Sequence, residues 1–173
     1  MRIQLIFEPD SAEQFLRLGR LAEELGFDAV WTANHVDAPD PFLAFSLLAH
    51  ESSRLRMGPI AISPYELHPV KMANSLLALN ELARGRASIV VGGGGGSVIA
   101  MNLKSGRYVM APRMVRAVRE CVEMLRAAAS GEPVNYAGEL FQVNGYHAGW
   151  AEESPPLIYV GATKPQMLRL AAR

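Results

Sequence analysis

Apolar positions along the chain alternate between two rhythms, short β-prone runs and longer stretches with helical spacing, the pattern of a parallel sheet with crossover helices. Ile3 to Phe7 reads as a strand, and Ser11 N-caps a helix carrying Phe15, Leu18, Ala22 and Leu25 on one face. Gly26 stands where a glycine ends such a helix, and strand two follows from Phe27 to Thr32. After the loop Asn34 to Asp40, Pro41 opens a helix expected to run to about Ser53, and Met57 to Ile62 forms strand three. His68 reads as a helix-start residue, Pro69 begins the third helix, and the turn Arg84-Gly85-Arg86 returns the chain to strand four, Ala87 to Val91. Met114 to Ala129 is strongly periodic. Beyond it, two β-prone runs around Ala137-Gly138 predict a small hairpin, an insertion over about residues 131–149. Strand five covers Leu157 to Val160, and a helix is expected from about Lys164 to Arg173.

The predicted strands begin near residues 3, 28, 56, 87 and 157. The first three intervals approach the ~30 residues of one βα unit. Two architectures fit, a doubly wound open sheet and part of a (βα)8 barrel. A complete barrel needs ~250 residues, and this chain has 173. Length alone favours the open sheet.

Composition narrows the function. Seventeen Lys and Arg balance seventeen Asp and Glu, which removes the basic footprint of a nucleic-acid binder or of a protein held on anionic lipid. No apolar run approaches the ~20 residues of a membrane span, and MRIQLIFEPD is too short and too soon acidic for a signal peptide, so a cytoplasmic location is expected. The single cysteine, Cys121, lies at helical spacing among Met114, Val118, Val122 and Leu125, which points to a packed thiol. No Cys/His metal spacing, G-x-S-x-G or Walker A motif is present, and no metal is expected.

Three loops carry candidate chemistry. Gly92 to Gly96 follow strand four; a run so costly to order suits backbone that must approach a flat or anionic group closely, or else a flexible loop with no ligand. It is not a Rossmann fingerprint, which belongs in the first βα turn and opens a helix at once. His35 follows strand two, at the carboxyl end of the sheet where the active sites of both architectures lie, and an imidazole there handles protons near neutral pH; the alternative is a surface or capping residue. Gly161, Ala162, Thr163 and Lys164 follow strand five, where they read equally as a phosphate seat and as a plain helix cap made by Thr163.

Taken together, the segments LAEELGFDAVWTANH with Asp40 to Phe42, GPIAISPYELHPVKMA, LNELARGRASIVVGGGGG, the Arg116 to Leu125 helix with Glu120, SGEPVNYAGELFQV and PPLIYVGATKPQMLRLA resemble the luciferase-like monooxygenase superfamily. The likeness is greatest to its deazaflavin branch, the methylenetetrahydromethanopterin reductase-like oxidoreductases that use coenzyme F420. It implies an α/β fold, a partial (βα)8 TIM barrel of five units, and so reverses the argument from length. It further implies hydride transfer between F420, or alternatively FMN, and a small organic substrate. His35 would lie near the reactive side of the ring, Ile60 and Ala61 would form the non-prolyl cis peptide behind it, Gly92, Gly93, Gly94 and Gly95 would border it, and Gly161 to Lys164 would contact phosphate. Asn34 stands where many relatives carry an acid and Ser97 where some carry a glutamate, which leaves His35 without a charged partner among the matched positions. An open five-strand sheet leaves edges to cover, so a homodimer or a complementary chain is expected. The other reading, from a different class, is a non-catalytic half-barrel subunit or truncated product that pairs with another chain.

Overall fold

The structure is a computed structural model that describes residues 3–95, 98, 100–101 and 113–172. Five parallel strands, β1 (Gln4–Ile6), β2 (Ala29–Ala33), β3 (Arg56–Ile62), β4 (Ser88–Val91) and β7 (Leu157–Val160), lie side by side in the order β1-β2-β3-β4-β7. Between them run α1 (Ala12–Glu24), α2 (Pro41–Ala44), α3 (Ser46–Glu51), α4 (Pro69–Leu82) and α5 (Met114–Ala128), with α6 (Pro165–Ala171) after β7. A doubly wound sheet reverses its order at a switch point, whereas each strand here is added on the same side of the last. That order is the one from which a βα barrel is built.

Local chemistry explains the element ends. Ser11 Oγ accepts from the Gln14 amide at 3.2 Å to start α1, and Gly26, at φ +86°, ends it. His68 caps α4 through Nδ1, 3.3 Å from the Val70 amide. The single helix expected from Pro41 to about Ser53 is instead two, α2 and α3, joined at Phe45. Phe45 is fully buried with its ring edge-on to Phe15, 5.1 Å between centroids, so the turn follows the core rather than the helical repeat.

Val30, Met57, Ile89 and Val91 point from the sheet into one hydrophobic cluster shared with Phe15, Leu48, Met72, Leu76, Val118 and Leu125 from the helices. Alternate residues face the other way. There Trp31 of β2 meets Tyr159 of β7 edge to face at 5.8 Å, although β3 and β4 lie between their strands. Such reach marks the inner face as concave. Trp31 is further held by its indole N–H, which donates to Gln4 at 2.8 Å.

The expected insertion is an antiparallel hairpin of β5 (Val134–Ala137) and β6 (Gln142–Tyr146), separate from the main sheet. Its turn is anchored by Glu120 of α5, a carboxylate 2% exposed that accepts the amides of Glu139, Leu140 and Phe141 at 3.0 to 3.1 Å. Three backbone donors explain how a carboxylate survives such burial. Phe141 in turn packs edge-on against His68, 5.5 Å between centroids, which ties the hairpin to the loop after β3.

Candidate active site at the carboxyl ends of the strands

The loops after β1, β2, β3, β4 and β7 open at one end of the sheet, and His35, Gly92 to Gly95 and Gly161 to Lys164 lie on them. His35, the first residue but one after β2, is about half exposed and lines cavities of about 440, 400 and 190 Å³. It has a charged partner that the matched positions did not supply: Glu8, just beyond β1, places Oε1 3.3 Å from His35 Nε2. A carboxylate at that distance orients the ring.

A second acid joins the loops after β2, β3 and β4. Glu66 Oε2 accepts Asn34 Nδ2 at 2.9 Å and the Ser63 amide at 3.1 Å. Its Oε1 lies against Gly94, 3.0 Å from where a Cβ on that glycine would stand. Neither Glu8 nor Glu66 was singled out in the sequence. Their long-range partners, His35 and Asn34, are 27 and 32 residues away, beyond any local spacing rule. The usable signals were position, since each is an acid just past the carboxyl end of a strand, and for Glu66 the S-x-x-E spacing from Ser63, whose amide it accepts.

The peptide bond between Ile60 and Ala61 is cis and non-prolyl, at the position the resemblance implies. Ile60 and Ala61 line the 400 Å³ cavity with Asn34, His35 and Glu66. Ala61 also lies beneath the other two loops: an added Cβ on Gly92 would stand 2.9 Å from Ala61 Cβ, and one on Gly161 3.7 Å from it. Strand three therefore forms the common back wall.

The glycines of the run differ in what requires them. Gly92 is crowded by Ala61, Gly93 by the Met114 side chain at 2.9 Å, and Gly94 adopts φ +69° with Val98, Ser63 and Glu66 all within 3.0 Å of an added Cβ. Gly95 has no described atom within 4 Å of its Cβ position. Protein packing explains three of the four and leaves Gly95 as open backbone. Gly96 and Ser97 lie outside the described residues.

Gly93, Gly94 and Gly95 share a cavity of about 700 Å³ with Gly161, Thr163, Lys164 and Met114. Ala162 does not line it but packs against the core. Thr163 does not cap α6: the N-cap is Lys164, with no side-chain cap bond. The helix-cap explanation of this turn therefore has no support from Thr163. Among the described residues Lys164 is the only charged one in the lining of this cavity.

Two further ionisable groups are held neutral by burial. Burial pushes the Cys121 thiol up to about 12, with its sulfur 3.7 Å from Met72 Sδ, so it is a core residue and not a nucleophile. Burial likewise raises Tyr65, a tendency opposed by Arg113 and aided by Glu120. Among the described residues no cluster of three His, Cys, Asp or Glu could hold a metal ion, and no helix is long and apolar enough to cross a membrane.

A concave sheet of strands in sequence order, with loops converging on two joined cavities at its carboxyl end, defines a TIM-barrel type of site. The family model for luciferase-like monooxygenase matches residues 4–173, and the chain belongs to that family. It is 33% identical over 173 residues to a 5,10-methylenetetrahydromethanopterin reductase of Archaeoglobus fulgidus, covering 99% of this chain and 50% of that protein. It is 28% identical over 177 residues to an F420-dependent glucose-6-phosphate dehydrogenase of Microbacterium testaceum, covering 94% and 52%. The coenzyme F420 dependent tetrahydromethanopterin reductase from Methanopyrus kandleri shares its fold at a TM-score of 0.83 and 24% identity, over 98% of this chain and 52% of that one. The chain thus spans about half the length of the relatives it matches, and its strands correspond to part of a TIM barrel.

Proposed function

We propose that this chain supplies the ring-binding side and one phosphate contact of an F420-dependent oxidoreductase acting on a small organic substrate. The observation that carries this reading is Gly95, which lines both the 700 Å³ cavity holding Lys164 and the 400 Å³ cavity holding His35, Ile60 and Ala61. An elongated ligand with an anionic end and a flat end fits that arrangement, and the backbone at Gly95 is open where such a ligand would cross. Family membership and the F420 dependence of a relative support the choice of cofactor.

When bound, a deazaflavin gives or takes a hydride, the chemistry the protein itself lacks. The chain's own residues do the rest. Lys164 and Thr163 hold phosphate, the amides of Gly93 to Gly95 approach the ligand closely, and Ile60 and Ala61 back the ring. His35 holds or releases a proton at Nδ1, the ring nitrogen that Glu8 does not contact, with the Glu8 carboxylate fixing the ring through Nε2. Fluorescence titration tests the reading: F420 binds, Thr163→Ala with Lys164→Ala weakens it about tenfold, and FMN titrated in parallel binds more weakly. Unchanged F420 affinity in the double variant would return the turn to a structural role, and tighter FMN binding would exchange the cofactor.

Association with a second copy or a complementary chain belongs to the same proposal. Strands β1 and β7 end the sheet order, and Ile6, Leu157 and Tyr159 are 60%, 37% and 43% exposed. Apolar side chains on unpaired edge strands favour a partner. Light scattering that finds a monodisperse 18.8 kDa monomer would contradict this.

A further inference from the structure

We propose that Glu66 selects the substrate, by presenting Oε1 as a hydrogen-bond acceptor to a cationic or donor-bearing group and repelling carboxylates and phosphates. The inference rests on the cofactor reading only for which cavity holds substrate. Glu66 is half-buried between the loops after β2, β3 and β4, and lines the 400 and 190 Å³ cavities beside His35. Both hydrogen bonds that fix it, from Asn34 Nδ2 and the Ser63 amide, go to Oε2. Oε1 accepts none from any described residue, and no described Lys or Arg pairs with the carboxylate.

A carboxylate so placed is oriented but not neutralised. Its stem is held by two strand-end loops, while the lone pairs of one oxygen remain for a ligand. Among the described residues no Lys or Arg lines any of the three cavities around His35, whereas Glu8, Asp10, Asp37, Asp40 and Glu66 do. Glu66 is bonded both within its own loop, at Ser63, and to the loop after β2, at Asn34, which gives it the fixed geometry that discrimination requires. An anionic substrate group would meet this oxygen without a counter-charge, while an ammonium, amidinium or amide N–H would complete its hydrogen bonding. The selection is a difference of affinities set by one attractive and one repulsive contact.

The test uses three planar probes of nearly equal size, benzamidine, benzamide and benzoate, titrated into the purified chain at fixed ionic strength. Benzamidinium is expected to bind at least tenfold tighter than benzoate, with benzamide between them, and to shift the Ser63 amide resonance. Glu66→Gln, which keeps the shape of the side chain, should abolish the preference, while Glu66→Asp should retain part of it. Equal binding of the three probes, or a preference that survives Glu66→Gln, would overturn the proposal. Should the Gln variant fail to fold, an unshifted Ser63 amide in the wild type would do the same. The cofactor reading is scored separately by the wild-type F420 titration and by Lys164→Ala, which should weaken F420 and leave benzamidinium unaffected.

Discussion

The two sides of the strand-end mouth are built from opposite materials. Beside β1, β2 and β3 the walls are side chains, His35 with Glu8 and Glu66 with Asn34, and the charge is negative. Beside β4 and β7 the walls are largely backbone, with the glycine run facing Gly161, and among the described residues the one charge is that of Lys164. A surface of that second kind recognises by close approach and by a single cation; one of the first kind moves protons and discriminates by charge. Placing them a glycine apart separates holding a ligand from acting on it.

That separation can be broken by substitution. The largest effect is expected at His35: in a preparation that oxidises reduced F420, His35→Ala should lower kcat by ~10²- to 10⁴-fold with little change in F420 affinity. An unchanged single-turnover rate, measured by stopped flow at saturating cofactor, would remove His35 from the chemistry. Glu8→Gln should have a smaller effect of the same kind, lowering kcat by less than His35→Ala does, because the ring loses the carboxylate that orients it; steady-state kinetics at saturating F420 read this, and an unchanged kcat would leave Glu8 without a positioning role.

The glycines sharpen the contrast at the level of stability. Gly94→Ala forces a side chain into positive φ among Val98, Ser63 and Glu66, and should destabilise the fold by about 1–3 kcal/mol in chemical denaturation. Gly95→Ala meets nothing described and should stay within about 0.5 kcal/mol. Equal losses at both would erase the distinction between packing glycine and open backbone. The smallest effect lies outside the mouth: the Cys121 thiol, held protonated by burial, should resist alkylation at pH 8 in the native protein and react once it unfolds.

What was legible in the sequence follows the range of the interactions concerned. Ser11, His68 and Gly26 act on residues within a turn or two, and each does what its local pattern implies. His35, the glycine run and Gly161 to Lys164 could be placed because they directly follow strands, and strand ends converge in this fold. The break at Phe45 was not visible, since helical spacing does not say where a buried ring must turn to meet Phe15. Thr163 had the chemistry of a cap, but the helix begins one residue later than that role requires. Glu8 and Glu66 were missed because the contacts that give them meaning, to His35 and Asn34, come from loops that the fold brings alongside; only the S-x-x-E spacing from Ser63 marks Glu66 locally. Length argued for a doubly wound sheet, while the strand order, which no length can reveal, is that of a barrel.

The central claim is that one ligand crosses Gly95 from Lys164 to the wall at Ile60 and Ala61. Gly95→Val tests it most directly, since Gly95 lines both cavities and a Cβ there would meet no described atom within 4 Å. Titrated with F420, with thermal unfolding followed in parallel, the variant should keep the wild-type Tm and lose F420 affinity by a hundredfold or more. Wild-type affinity at an unchanged Tm would mean that no ligand spans this glycine, and would contradict the claim.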